Sequence, residues 1–144
     1  MNRVVQEARA WLGTPYVHQA SVRGAGCDCL GLIRGVWRAL YGAEPEPVPC
    51  YTPDWDEPQR AEVLWAAAAR HLEVAPEAWE PGQVLLFRMR RDAVAKHMGI
   101  LSATGEEPAF IHAYTGHGVV ESPLSAPWRR RVAARFTFDL EGQS

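Results

Sequence analysis

One thiol and a small set of histidines in this sequence are of the types, and in the order, that acyl-transfer chemistry needs. Cys29 stands in Gly26-Cys27-Asp28-Cys29-Leu30-Gly31-Leu32, directly ahead of a long apolar helical pattern. The first turn of a helix carries unpaired N–H groups and the positive end of the helix dipole, so a thiolate is favoured there. The thiol pKa is expected to fall from about 8.5 toward the range of about 3.5 to 7.5 found for reactive cysteines. The same N–H groups could hold the oxyanion formed when the sulfur attacks a carbonyl, and Gly31 leaves room for close approach. A thiol nucleophile needs a base, and Lys96-His97-Met98-Gly99-Ile100-Leu101 offers His97 at the start of a strand-like run. An imidazole acting as base needs a polar neighbour to fix its tautomer. His112, in Phe110-Ile111-His112-Ala113 on the next strand, is the candidate, with His117 close by as the alternative and His18 as a weaker rival.

Other readings of these residues are weaker. Cys27 and Cys29 form a C-x-C pair without the C-x-x-C spacing of a metal or redox site, and no second pair follows, so neither a metal nor any other cofactor is expected. Asp28 reads as a helix N-cap rather than a catalytic acid, and Cys50, among prolines, as inert. His71 is expected at a surface near a helix C-terminus.

The elements that must position these groups are legible as patterns. Apolar residues at helical spacing from Val4 to Leu12, stopped by Gly13-Thr14-Pro15, predict a short first helix. Tyr16 to Gly26 reads as a loop or short extended segment. Cys29, Ile33, Val36 and Leu40 recur at i, i+4, i+7 and i+11, which predicts a buried helix with Asp28 as its cap and Gly42 as its stop. Prolines at 45, 47, 49, 53 and 58 make 44–58 a proline-rich loop. Its Tyr51 and Trp55 could pin it to the body or line a cleft. The alanine-rich run from Gln59 to Leu72 predicts a third helix, and Trp79-Glu80-Pro81-Gly82 a turn. Short apolar runs at 84–87, 98–101, 109–112, 119–120 and 135–138 predict strands. Helices first and strands afterwards imply an α+β fold, with N-terminal helices packed on an antiparallel sheet of about five strands, in a single domain over 1–144.

Composition sets outer bounds. With 47% hydrophobic and 22% charged residues the chain has the make-up of a globular protein. A formal net charge of -2 argues against general attraction to nucleic acid. The N-terminus lacks the apolar stretch of a secretory signal, and no run approaches the roughly 20 apolar residues of a membrane span. A protein made in the cytoplasm, without membrane insertion, is expected. Three cysteines, an odd number, leave at least one thiol free.

The motifs in order resemble the NlpC-type peptidases of bacterial cell walls, which are papain-like. They are Leu12-Gly13-Thr14-Pro15-Tyr16, then Asp28-Cys29-Leu30-Gly31-Leu32, then Pro81-Gly82-Gln83-Val84-Leu85-Leu86-Phe87, then His97-Met98-Gly99-Ile100, then His112. The resemblance implies Cys29 as nucleophile, His97 as general base, His112 as the residue that orients it, and Tyr16 as a side chain lining the site near the nucleophile. It implies peptidoglycan as substrate, with cleavage in the peptide stem at the D-γ-glutamyl to diaminopimelate bond. Where the family most often has Asp-Cys-Ser-Gly, this chain has Leu30. A narrower resemblance is to the small peptidases encoded among tail genes of phages and of alphaproteobacterial gene transfer agents. It rests on Cys27 to Arg38, on Tyr51-Thr52-Pro53-Asp54-Trp55, and on Val120 to Leu124 with Trp128-Arg129-Arg130-Arg131. That resemblance implies a tail component, with tail-hub or tail-tip partners, carried to the cell wall and acting in the periplasm. The arginines 129–131, with Arg88, Arg90 and Arg91, then read either as a solvated face or as a docking patch for a tail protein.

Two rivals stand beside this reading. An amidase or acyltransferase could use the same thiol chemistry, although permuted relatives place the histidine before the cysteine and here Cys29 precedes His97. A catalytically silent tail-hub protein could keep the fold, although it would not need Cys29, His97 and His112 together.

Overall fold

The computed structural model describes residues 2–44, 63–89 and 96–138. The 44–58 loop with Cys50, Tyr51 and Trp55, the start of the alanine-rich helix, and Arg90 and Arg91 lie outside the described residues, Glu44 excepted.

Helix α1 (Arg3–Arg9) begins where the Asn2 side chain accepts a hydrogen bond from the Val5 N–H, and it ends sooner than its apolar spacing predicts, in a turn before Gly13. Helix α2 (Cys29–Tyr41) has both expected boundaries. An Asp28 carboxylate oxygen accepts from the Gly31 N–H at 2.7 Å, and Gly42, at φ 90°, adopts a left-handed turn that a residue with a Cβ rarely enters. Between the two helices, strands β1 (Ser21–Val22) and β2 (Gly26–Cys27) form a small antiparallel ribbon. Helix α3 (Val63–His71) occupies part of the alanine-rich run.

The remaining strands are β3 (Glu73–Val74), β4 (Val84–Phe87), β5 (His97–Ala103), β6 (Ala109–Tyr114), β7 (Gly118–Pro123) and β8 (Val132–Thr137), with a short helix α4 (Ala126–Arg130) between β7 and β8. They form one antiparallel sheet in the order β3-β8-β4-β5-β6-β7. The α+β class is as expected, with six strands rather than five. The extra strand is the two-residue β3, too short to show a period, and α4 interrupts the strands because Pro127 starts a turn of helix that carries no apolar stripe.

The sheet is covered on both faces, which is why β4 and β5 read as unbroken apolar runs rather than alternating ones. On one face Val84, Leu86, Met98, Ile100, Ile111 and Ala113 pack with Val4, Val5, Ala8, Leu32, Ile33 and Val36 of the first two helices. On the other, Leu85, Phe87, Leu101, Phe110 and Leu124 pack with Trp79 and Trp128. The Trp11 indole packs against Gly35 of α2, in space that a Cβ there would fill. Among the described residues no helix is long and apolar enough to cross a membrane.

Candidate active site

Cys29 is the first residue of α2, and its Sγ lies 3.8 Å from the carbonyl oxygen of Lys96, the residue before His97. The helix start and the start of β5 therefore meet at the sulfur. Backbone N–H groups of Met98, Leu30 and Cys29 itself face it. The approach is held from the loop side as well: Ser21 Oγ donates to the Gly31 carbonyl at 2.6 Å, and Arg38 donates to Ser21 O at 2.6 Å.

His97 and His112 come together. Their Nε2 and Nδ1 atoms, respectively, are 2.8 Å apart and their rings stand edge to face. The strand register explains how. Ile100 pairs with Ile111, and continuing that register sets Gly99 opposite His112, with His97 diagonal to it rather than directly across. A Cβ on Gly99 would lie 3.0 Å from Phe110 Cδ2 and 3.3 Å from His112 Cβ, so the glycine leaves the space that this packing uses. The second nitrogen of His112, Nε2, is 3.0 Å from Ser122 Oγ on β7. Phe87, Phe110, Tyr114 and Trp128 surround the two rings. His97 is 9% exposed and His112 1%.

Electrostatics correct one expectation. Burial, and then the neighbouring Asp28 carboxylate, push the Cys29 thiol up to about 12, against the smaller downward pull of the facing N–H groups. Burial also pushes His97 down to about 3, helped by His112, and His112 down to about 4, helped by His117. These shifts run toward a neutral thiol beside neutral imidazoles at rest, against the thiolate that the helix start alone predicts. The helix N-terminus is outweighed first by burial of the sulfur and then by the neighbouring Asp28 carboxylate that caps the helix.

Tyr16 pairs with Cys27 through a parallel bridge and is hydrogen-bonded to Thr115 in the β6–β7 turn. Its phenol is pushed up by burial and then by the charge of an ionised Cys29. His117 is exposed and stacks on Tyr114 at 5.3 Å, and it is His112 that bonds to His97. His18 Nδ1 lies 3.9 Å from Asp28 Oδ2. Asp28, 2% exposed, also accepts from the Gln19 N–H at 2.7 Å, consistent with a capping role. Cys27 and Cys29 are both free thiols, and Cys27 is buried. His71 is half-buried with its ring edge toward Trp37, not at an open surface. Of the arginine run, Arg129 lies over Trp79 and Arg131 over Trp128, so both cover indoles. Among the described residues no three His, Cys, Asp or Glu side chains gather as a metal ion would require.

Ser122 and Trp128 enter the sequence reading only within the motifs of the narrower resemblance, and Thr115 not at all. Ser122 reaches the site through strand register, Trp128 through α4 and Thr115 through the β6–β7 turn, which spacing along the chain does not reveal.

Residues 13–136 match the NlpC/P60 family. The chain is 32% identical over 137 residues to a gamma-DL-glutamyl hydrolase of Bacillus subtilis, covering 94% of this chain and 29% of that protein. It is 25% identical over 131 residues to the murein DD-endopeptidase MepS/murein LD-carboxypeptidase of Escherichia coli, covering 90% of this chain and 58% of that one. It thus spans less than two thirds of the length of either relative. Among solved structures, an NlpC/P60 family protein of Bacillus cereus superposes with a TM-score of 0.62 at 16% identity, over 92% of this chain and 38% of that one. That likeness concerns the fold.

Proposed function

Because the chain belongs to the NlpC/P60 family, we propose that it is a cysteine endopeptidase that cleaves the peptide stem of peptidoglycan at the D-γ-glutamyl to diaminopimelate bond. The observation that carries this reading is the meeting of Cys29 Sγ with the start of β5, where His97 is bonded in turn to His112. Since Nε2 of His97 is engaged by His112, Nδ1 is the nitrogen left to serve the thiol.

With both groups neutral at rest, the S–H proton moves to His97 Nδ1 as the sulfur attacks the amide carbonyl carbon. The oxyanion is held by backbone N–H groups at the start of α2. The imidazolium returns its proton to the leaving amine, the C–N bond breaks, and a thioester on Cys29 remains. Water, deprotonated by the same nitrogen, then attacks the thioester and releases the thiol.

The relative named a murein endopeptidase supports a peptidoglycan stem peptide as substrate, and the relative named a γ-DL-glutamyl hydrolase supports a γ-glutamyl bond as the one cut. The test is digestion of purified sacculi with the parent protein and with Cys29→Ala, with products identified by mass spectrometry. Fragments ending in D-γ-glutamate with the parent only are expected. Equal yields from both proteins would refute the nucleophile, and fragments cut elsewhere in the stem would refute the bond.

We further propose that the protein acts as a component of a phage-like tail, bound to tail-hub or tail-tip proteins and delivered to the wall in the periplasm. Support comes from the resemblance of Cys27 to Arg38 and Val120 to Leu124, among other segments, to small tail-gene peptidases. Immunoblotting of gradient-purified particles should find the chain in the particle fraction. Its confinement to the soluble fraction would refute the tail role.

A further inference from the structure

We propose that Ser122 is a positioning residue of this site: its hydroxyl oxygen accepts the Nε2–H of His112 and so supports the tautomer that leaves Nδ1 of His97 free to accept the proton of Cys29. The kinetic consequence rests on the catalytic reading above, whereas the tautomer itself does not.

A neutral imidazole has one N–H donor and one bare acceptor nitrogen. Three groups are joined in line here, with His97 Nε2 at 2.8 Å from His112 Nδ1 and His112 Nε2 at 3.0 Å from Ser122 Oγ. Only two arrangements of protons satisfy both contacts. In the first, His97 donates from Nε2 to His112, and His112 donates from Nε2 to the Ser122 hydroxyl oxygen. His97 Nδ1 is then bare and can take a proton. In the second, every bond is reversed: Ser122 donates to His112, His112 donates to His97, and His97 carries its hydrogen on Nδ1. That form cannot deprotonate a thiol.

The pocket gives His112 few other options. Its ring is buried among Phe110, Tyr114 and Trp128, so an N–H on Nε2 depends on the hydroxyl. Orphaned buried N–H groups are rarer in proteins than under-used acceptors. Loss of the Ser122 oxygen therefore weighs against the competent arrangement more than against the reversed one. The position of Ser122 follows from register: it pairs with Phe110 across β6–β7 and so lies diagonal to His112.

The test compares Ser122→Thr with Ser122→Val, which share a shape and differ in the hydroxyl. Protein labelled with 15N in histidine is examined by long-range proton–nitrogen spectra at pH 7.5, and kcat and KM are measured on soluble muropeptides. The parent and the Thr variant should show His112 protonated on Nε2 and similar kcat. The Val variant should show His112 shifted toward the Nδ1-protonated form, with kcat lower by about tenfold, equivalent to about 1.4 kcal/mol, and KM unchanged. Identical His112 tautomers in the Thr and Val proteins would overturn the proposal, as would equal kcat with a shifted tautomer. If Ser122→Val fails to fold, Ser122→Ala is measured against the same criteria. If the parent cleaves no muropeptide, the catalytic reading fails and the tautomer comparison alone decides the role of Ser122.

Discussion

Replacing His112 by alanine should separate orientation of the base from substrate binding. The ring is 1% exposed and bonds to His97 at 2.8 Å and to Ser122 at 3.0 Å. Its removal leaves a polar atom without its ring partner on each side, at roughly 1 to 3 kcal/mol per buried group, besides a cavity among aromatic rings. A loss of about 2 to 6 kcal/mol of folding stability is expected from the two groups together. For catalysis, the His97 ring loses the bond that fixes its tautomer and angle. If about 1.4 to 2.8 kcal/mol of that orientation is realised in the transition state, kcat falls by about 10- to 100-fold. KM should hardly change, because His112 is buried behind His97. His112→Asn places an amide oxygen near the former Nδ1, where it can accept from His97 Nε2–H, and should recover much of the loss. The assay is steady-state cleavage of a soluble muropeptide, with folding followed by urea denaturation. A folded alanine variant with kcat within about twofold of the parent would refute the reasoning. So would an asparagine variant no better than alanine.

Other outcomes follow from the same features. Because burial and Asp28 push Cys29 up to about 12, its alkylation by iodoacetamide, read on the Cys29 peptide by mass spectrometry, should be slow at pH 7 and still rising at pH 9.5. A rate already level at neutral pH would contradict a protonated resting thiol. His97 and His112 sit at about 3 and about 4, below the ordinary value near 6.5. Between those limits the unfolded chain binds more protons than the folded one. The stability these neutral rings confer is thus full above about pH 6.5 and lost on acidification, by up to about 1.4 kcal/mol per pH unit for each ring. Urea midpoints between pH 7.5 and 4.5 should fall steeply in the parent and less steeply in His112→Asn. Gly35→Ala sets a methyl against the Trp11 ring and should cost about 1 to 3 kcal/mol, lowering Tm while leaving the kcat of the folded fraction near the parent's.

Much of the scaffold can be read from the sequence because it depends on local signals. Helix α2 carries its own cap in Asp28, its own stop in Gly42 and a long apolar stripe between them. The strands of the central sheet appear as apolar runs because both faces are covered. What escapes is set by contacts between elements. The two-residue β3 and the proline-started α4 are too short to show a period. Cys29, His97 and His112 can be picked out by type and order, and the register of β5 on β6 then sets the histidines diagonally, with Gly99 making room. Ser122 is invisible until β7 is laid beside β6. The charge state of the site was also illegible. Position at a helix start argues for a thiolate, but burial and the Asp28 carboxylate reverse the sign.

The central claim, that Cys29 carries the acyl group on a sulfur activated by His97, is tested most directly by acid quenching a muropeptide reaction within its first turnovers. Mass spectrometry of the intact and digested protein then locates any adduct. An acyl group on the peptide containing Cys29, removable by hydroxylamine and missing from His97→Ala, is the predicted result. Product formation by Cys29→Ala, or an adduct mapped to Cys27 or Cys50 in the parent, would contradict it.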